Sequence, residues 1–165
     1  MDFAKLDALL ENSREDMIRT LCGWIAIPSV SARSDAAGAP FGAECRRALD
    51  LALADAKAMG FSVRDFDGYA GDITLEAGEK TLGMLCHLDV VPAGDGWTKQ
   101  PFGGEIEAGK IYGRGTMDDK GPAVAALYAM KAVRDAGIPL KDSVRLILGC
   151  DEETGMSDMR YYAAH

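Results

Sequence analysis

Basic charge is scarce in this sequence and histidine scarcer still, while paired cysteines and membrane-length apolar runs are absent. Against 26 acidic residues stand 18 lysines and arginines, for a net charge of −8, and there are two histidines. Nucleic-acid binding needs clustered cationic side chains, so that partner is excluded. Cys22, Cys45, Cys86 and Cys150 form no C-x-x-C unit. That spacing excludes a zinc finger and fits small apolar core residues in a reducing cytosol. The N-terminus, Met1-Asp2-Phe3, lacks the basic region and apolar core of a secretory leader, and no run approaches a membrane span. No membrane partner is expected, and the cytoplasm is the expected location.

What is present suits one globular domain. The chain has 165 residues, 48% of them hydrophobic, enough for a core. Residues 3–26 carry Leu6, Leu9, Leu10, Met17, Leu21 and Ile25 mostly at helical spacing, with Pro28 ending the helix. A polar loop over 29–40 precedes a helix over 43–59, with Gly60 placed at its C-terminus. Strands are predicted over 61–66 and 72–77, then a strongly buried one over 82–86 and a hairpin over 103–113. A helix follows, with Pro122 in its first turn and Gly137 and Pro139 at its end. Residues 144–148 read as a buried strand, and a last helix begins near Ser157, whose hydroxyl is the expected cap. This alternation predicts an α/β fold, a three-layer sheet with helices on both faces.

Three clusters then stand out: His87-Leu88-Asp89, Asp118-Asp119 and Asp151-Glu152-Glu153. The first and third directly follow predicted buried strands, and the second opens the helix between them. A right-handed strand–helix–strand unit delivers all three to the carboxyl ends of its strands, where ligands gather. Imidazole and carboxylates together suit zinc or manganese, and a carboxylate can bridge two ions. A further carboxylate held off the metals can take a proton from water. Singly, each cluster has a plain structural explanation: a hydrogen-bonded histidine, acids at a helix N-terminus, a solvated loop. Their joint placement points to a site.

The wording around the clusters resembles the M20 metallopeptidases, most closely dipeptidases of the PepV/carnosinase type. The matching stretches are His87-Leu88-Asp89-Val90-Val91-Pro92-Ala93-Gly94-Asp95-Gly96-Trp97, Tyr112-Gly113-Arg114-Gly115-Thr116-Met117-Asp118-Asp119-Lys120-Gly121-Pro122 and Gly149-Cys150-Asp151-Glu152-Glu153-Thr154. The resemblance implies a zinc-peptidase-like catalytic domain holding two divalent metal ions, zinc by default, with manganese or cobalt as alternatives. It implies that His87 binds one ion, Asp118 bridges both and Glu153 binds the second. Glu152 is then the general base. Asp89 hydrogen-bonds the far nitrogen of His87, and the Asp118–Asp119 peptide is cis.

The implied substrate is a small peptide. The same scaffold in related enzymes removes acyl groups from amino acids, so N-acyl-amino-acid deacylation is the alternative, and a non-catalytic scaffold a third reading. The family completes its site with a downstream Asp and a far C-terminal His, and adds a lid domain. Residues 1–165 are therefore expected to be the N-terminal portion of a catalytic domain, incomplete and inactive alone. His165 is read as an ordinary helix residue, and self-association through exposed apolar surface is expected. Trp97 and Phe102 are expected to pack around the Pro101 turn. Arg114 and Lys120 stand beside the carboxylates in sequence, where either would offset their repulsion.

Overall fold

The strand and helix periodicities of the sequence are realised around a four-stranded mixed sheet. The computed structural model describes residues 3–165. Helices α1 (Phe3–Asn12), α2 (Arg14–Ile25) and α3 (Ala43–Ala58) precede the antiparallel pair β1 (Ser62–Phe66) and β2 (Ala70–Leu75). Strand β3 (Thr81–His87) leads through a small hairpin, β4 (Glu105–Glu107) and β5 (Lys110–Tyr112), to α4 (Lys120–Asp135). Then come β6 (Ser143–Gly149) and α5 (Ser157–Ala164). The sheet order is β1-β2-β6-β3, with β6 antiparallel to β2 and parallel to β3.

Alternation along the strands assigns the two faces. Ile73, Leu146 and Leu148 are fully buried and join Leu49, Leu127 and Tyr128 in the main core, under α3 and α4. Helices α1 and α2 pack in turn on α4. On the opposite face Asp72 meets α5, where Tyr162 donates to Asp72 Oδ2 at 2.9 Å and stacks edge-on against Phe66. Helices therefore lie on both faces, as the sequence predicts.

Four details differ from the sequence reading. The first predicted helix is two, interrupted at Ser13, whose hydroxyl donates back to the Leu9 carbonyl at 2.9 Å. The second strand starts and ends two residues earlier than predicted, at Ala70–Leu75. Strand β3 is an edge strand, so Leu82 and Leu85 are 63% and 54% exposed instead of buried. An apolar run alone does not distinguish a central strand from an edge. Ser157 is the first residue of α5 rather than its cap; Met156, in the left-handed region, holds the cap position. The Ser157 hydroxyl is drawn instead to Asp151 Oδ2 at 2.5 Å.

The C-terminus of α3 shows how local chemistry sets the entry to the sheet. Gly60 has φ +90, Gly60 N–H donates to Lys57 O at 2.9 Å and Phe61 N–H to Ala56 O at 3.1 Å. This is a Schellman closure, and it turns buried Phe61 into the core immediately before β1. Among the described residues no helix is long and apolar enough to cross a membrane.

Candidate metal centre

Parallel pairing of β3 with β6 puts His87 opposite Gly149, so the residues after both strands emerge side by side. The N-terminus of α4 reaches the same edge. One donor atom each from His87, Asp118 and Glu153 lies within 4.8 Å of the others. His87 Nε2 is 3.0 Å from Asp118 Oδ1 and 3.9 Å from Glu152 Oε2. A cavity of about 310 Å³ opens beside them, lined by His87, Asp118 and Glu152 together with Leu85, Met156 and Met159. The Asp118–Asp119 peptide is cis.

Backbone contacts aim these side chains. The far nitrogen of His87, Nδ1, lies 2.9 Å from the Asp89 main-chain carbonyl and 3.5 Å from its carboxylate. Asp89 is thus the partner of that nitrogen, its main-chain carbonyl being nearer than its carboxylate. The carboxylate is instead the acceptor for Glu152 N–H at 3.2 Å and Glu153 N–H at 3.1 Å. Asp89 joins the histidine cluster to the glutamate cluster through these two sets of contacts.

The electrostatics fit a cation. Burial works against a charge on His87, but the Asp89 carboxylate and carbonyl and the Asp118 carboxylate overcome it and push its pKa up to about 9. Burial, then the charge of Asp118, hold Glu153 above its ordinary carboxyl value. Acids repelling one another around an imidazole that prefers to be charged form a cradle for positive charge. One nitrogen and several carboxylate oxygens are the donor chemistry of zinc or manganese, so the residues present fit the implied metal.

Some residues belong to the scaffold in ways the sequence does not reveal. Asp119 accepts the His87 main-chain N–H at 3.2 Å. Lys120 does not offset the acidic pair: its ammonium is fully buried and donates to the carbonyls of Trp24 at 2.9 Å and Ile27 at 2.8 Å. Arg114 lies over the Trp97 ring, 5.6 Å from its centroid, and Trp97 donates to Ala93 O at 2.8 Å. Trp97 is thereby packed into its own loop. His165 stacks on Tyr161, outside the cluster. No spacing rule marks Lys120 or Asp119 for these roles, because their partners are backbone groups of distant segments.

A mixed sheet whose strand ends gather a histidine and carboxylates makes an α/β scaffold with a candidate metal site. Comparison with known proteins gives the particular family. Residues 83–165 match the model of peptidase family M20/M25/M40. The chain is 44% identical over 153 residues to YtjP of Bacillus subtilis (strain 168), provisionally named a dipeptidase, covering 92% of this chain and 33% of that protein. It is 41% identical over 159 residues to Beta-Ala-Xaa dipeptidase of Lactobacillus delbrueckii subsp. lactis, covering 95% and 34%. The crystal structure of human carnosine dipeptidase 1 superposes with a TM-score of 0.82 at 27% identity, covering 97% of this chain and 37% of that one. The chain belongs to peptidase family M20/M25/M40. It spans about a third of the length of the curated relatives it matches.

Proposed function

We propose that this chain is the N-terminal portion of the catalytic domain of a metal-dependent dipeptidase, acting on small peptides. The observation that carries the reading is the convergence of the His87 and Glu153 donors, at the ends of two parallel strands, with that of Asp118 ahead of α4, the Glu152 carboxylate lying 3.9 Å from the imidazole. The relatives named as dipeptidases support the substrate class.

In this reading His87, Asp118 and Glu153 would hold the divalent metal, with zinc the default by donor type. Ions bound there supply Lewis acidity, which polarises the scissile carbonyl and makes water nucleophilic at neutral pH. The protein's own residues do the rest. Glu152 is 46% exposed on its side chain, so its carboxylate faces the cavity. It takes a proton from the attacking water and returns it to the departing amine. Asp89 fixes the His87 ring through its carbonyl and the Glu152–Glu153 backbone through its carboxylate. Remaining ligands come from outside residues 1–165, so this stretch alone is expected to hold metal weakly and turn over little substrate.

The test uses the polypeptide with its downstream sequence. Glu152→Gln is expected to abolish dipeptide hydrolysis while metal content, measured by elemental analysis, stays at the parental level. Loss of metal together with activity would remove Glu152 from the role of base. Parental protein that cleaves N-acyl amino acids and ignores free dipeptides would move the substrate class to the deacylase branch.

A further inference from the structure

Four consecutive main-chain amides, those of Cys150, Asp151, Glu152 and Glu153, each donate to a buried carboxylate. Glu152 and Glu153 donate to Asp89. Cys150 and Asp151 donate to one oxygen of Asp158, Oδ2, at 2.7 and 2.9 Å. Asp158 is 1% exposed although it sits in the first turn of α5. From the sequence alone it reads as an acid favouring a helix N-terminus. That role does not call for burial, nor for two bonds to a strand end seven and eight residues back.

The surroundings are shaped for this carboxylate. A Cβ on Gly149 would lie 2.4 Å from Asp158 Oδ2, so the last residue of β6 must lack a side chain for the acid to enter. The other carboxylate oxygen accepts Met159 N–H at 2.7 Å, fixing its direction. Around the same turn, Asp151 accepts from Ser31 Oγ at 3.1 Å and from the Ser157 hydroxyl, and its carbonyl takes the Gly155 and Met156 amides. The segment bearing Glu152 and Glu153 is therefore gripped from the β3 side by Asp89 and from the α5 side by Asp158. Asp158 also lines the cavity beside His87 and Asp118.

We propose that Asp158 is a positioning residue of the site, fixing with Asp89 the Cys150–Glu153 backbone and so the reach of Glu152 and Glu153. The inference rests on the metal-dependent hydrolysis proposed above. Without the Asp158 clamp the strand end relaxes, and both the Glu153 donor and the Glu152 base lose their aim. Substrate contacts are not altered, so the effect falls on metal affinity and kcat, with KM little changed.

The experiment compares the full-length protein with its Asp158→Leu and Asp158→Asn variants. Leu keeps the branched shape, with larger methyl groups in place of the acceptors; Asn keeps one acceptor oxygen. Readouts are cobalt(II) affinity, the visible spectrum of the cobalt-loaded protein, kcat and KM for a dipeptide, and the thermal midpoint. Asp158→Leu is expected to lose about tenfold or more in cobalt affinity and kcat with an altered spectrum, the range typical of residues that orient metal ligands. Asp158→Asn is expected to fall between the parent and Asp158→Leu, since its oxygen can still accept from Cys150 and Asp151 while its NH2 then faces the Met159 N–H. Parental affinity, spectrum and kcat in Asp158→Leu, with only a lower thermal midpoint, would overturn the proposal. If the Leu variant does not fold, Gly149→Ala displaces the same carboxylate with one methyl, and parental values there overturn it equally. A parent that binds no divalent ion would overturn the functional reading as well; a parent that binds normally confines failure to Asp158.

Discussion

Replacing Lys120 by Met should be far more damaging at high pH than at neutral pH. The Lys120 ammonium is fully buried, and burial depresses its pKa from 10.5 to about 8, with weak support from Cys45, Asp89 and Cys150. That depression corresponds to about 3 kcal/mol of penalty on the charged form. The neutral amine keeps two hydrogens, enough for both the Trp24 and Ile27 carbonyls. Between pH 8 and 10.5 the unfolded chain binds this proton and the folded chain does not, so folding stability from Lys120 rises with pH. Below pH 8 the folded protein carries the buried charge and that contribution is lost.

Methionine removes the penalty and the two hydrogen bonds together. A buried carbonyl left without its donor costs about 1–3 kcal/mol. Neither carbonyl is fully orphaned, because Trp24 O still accepts Ile27 N–H at 3.2 Å and Ile27 O still accepts Ser29 N–H at 2.9 Å. At pH 7 loss and relief oppose each other, and the variant is expected within about 2 kcal/mol of the parent. At pH 10.5 the relief has vanished, and the variant should fall behind by about 3 kcal/mol more. Urea denaturation of the metal-free chain and of Lys120→Met at pH 7, 8.5 and 10.5 measures this difference. Comparing the two proteins cancels the titration of every group that does not interact with Lys120. A gap between them that stays constant within about 0.5 kcal/mol across that range would refute the reasoning.

Two further outcomes follow from packing and burial. Gly121→Ala places a Cβ 2.0 Å from the Thr116 carbonyl, which is backbone and cannot rotate away, so a loss of about 3 kcal/mol is expected by denaturation; a fully stable variant would show that the 115–121 turn yields freely. Thiol labelling of the native chain at pH 8 should begin at half-buried Cys22, while Cys45 and Cys150, buried and with raised pKa values, react only on unfolding. Cys86, half-buried and pushed up to about 12 by burial and the Asp119 charge, should lag behind Cys22. Labelling of Cys45 at the Cys22 rate would contradict the packed interior under α3.

The candidate site was legible in sequence to the extent that its chemistry lies next to strand and helix signals. His87, Asp118 and Glu153 stand at the ends of strongly patterned elements, and the right-handed crossover brings such ends together. The residues that hold them were harder to see. Asp89 carries a motif position, yet its carboxylate reaches backbone amides more than sixty residues away. Asp158 lies outside the matching motifs, and Lys120, though inside one, gives no sign of its partners, since a side chain bonded to a distant main chain leaves no periodicity behind. The exposure of Leu82 and Leu85 was equally hidden, because an apolar strand reads the same at the edge and at the centre of a sheet.

The sequence by itself determined the element types, the α/β class and where the candidate donors cluster, because hydrophobic period, glycine and proline placement and residue chemistry are local properties. Only the tertiary structure decided which strand lies at the sheet edge, which oxygen of Asp89 faces His87, and that Lys120 turns away from the acids into the core. Those choices are made by strand order and by the demand that each buried backbone group find a partner. Both conditions are met only when segments remote in the chain have come together.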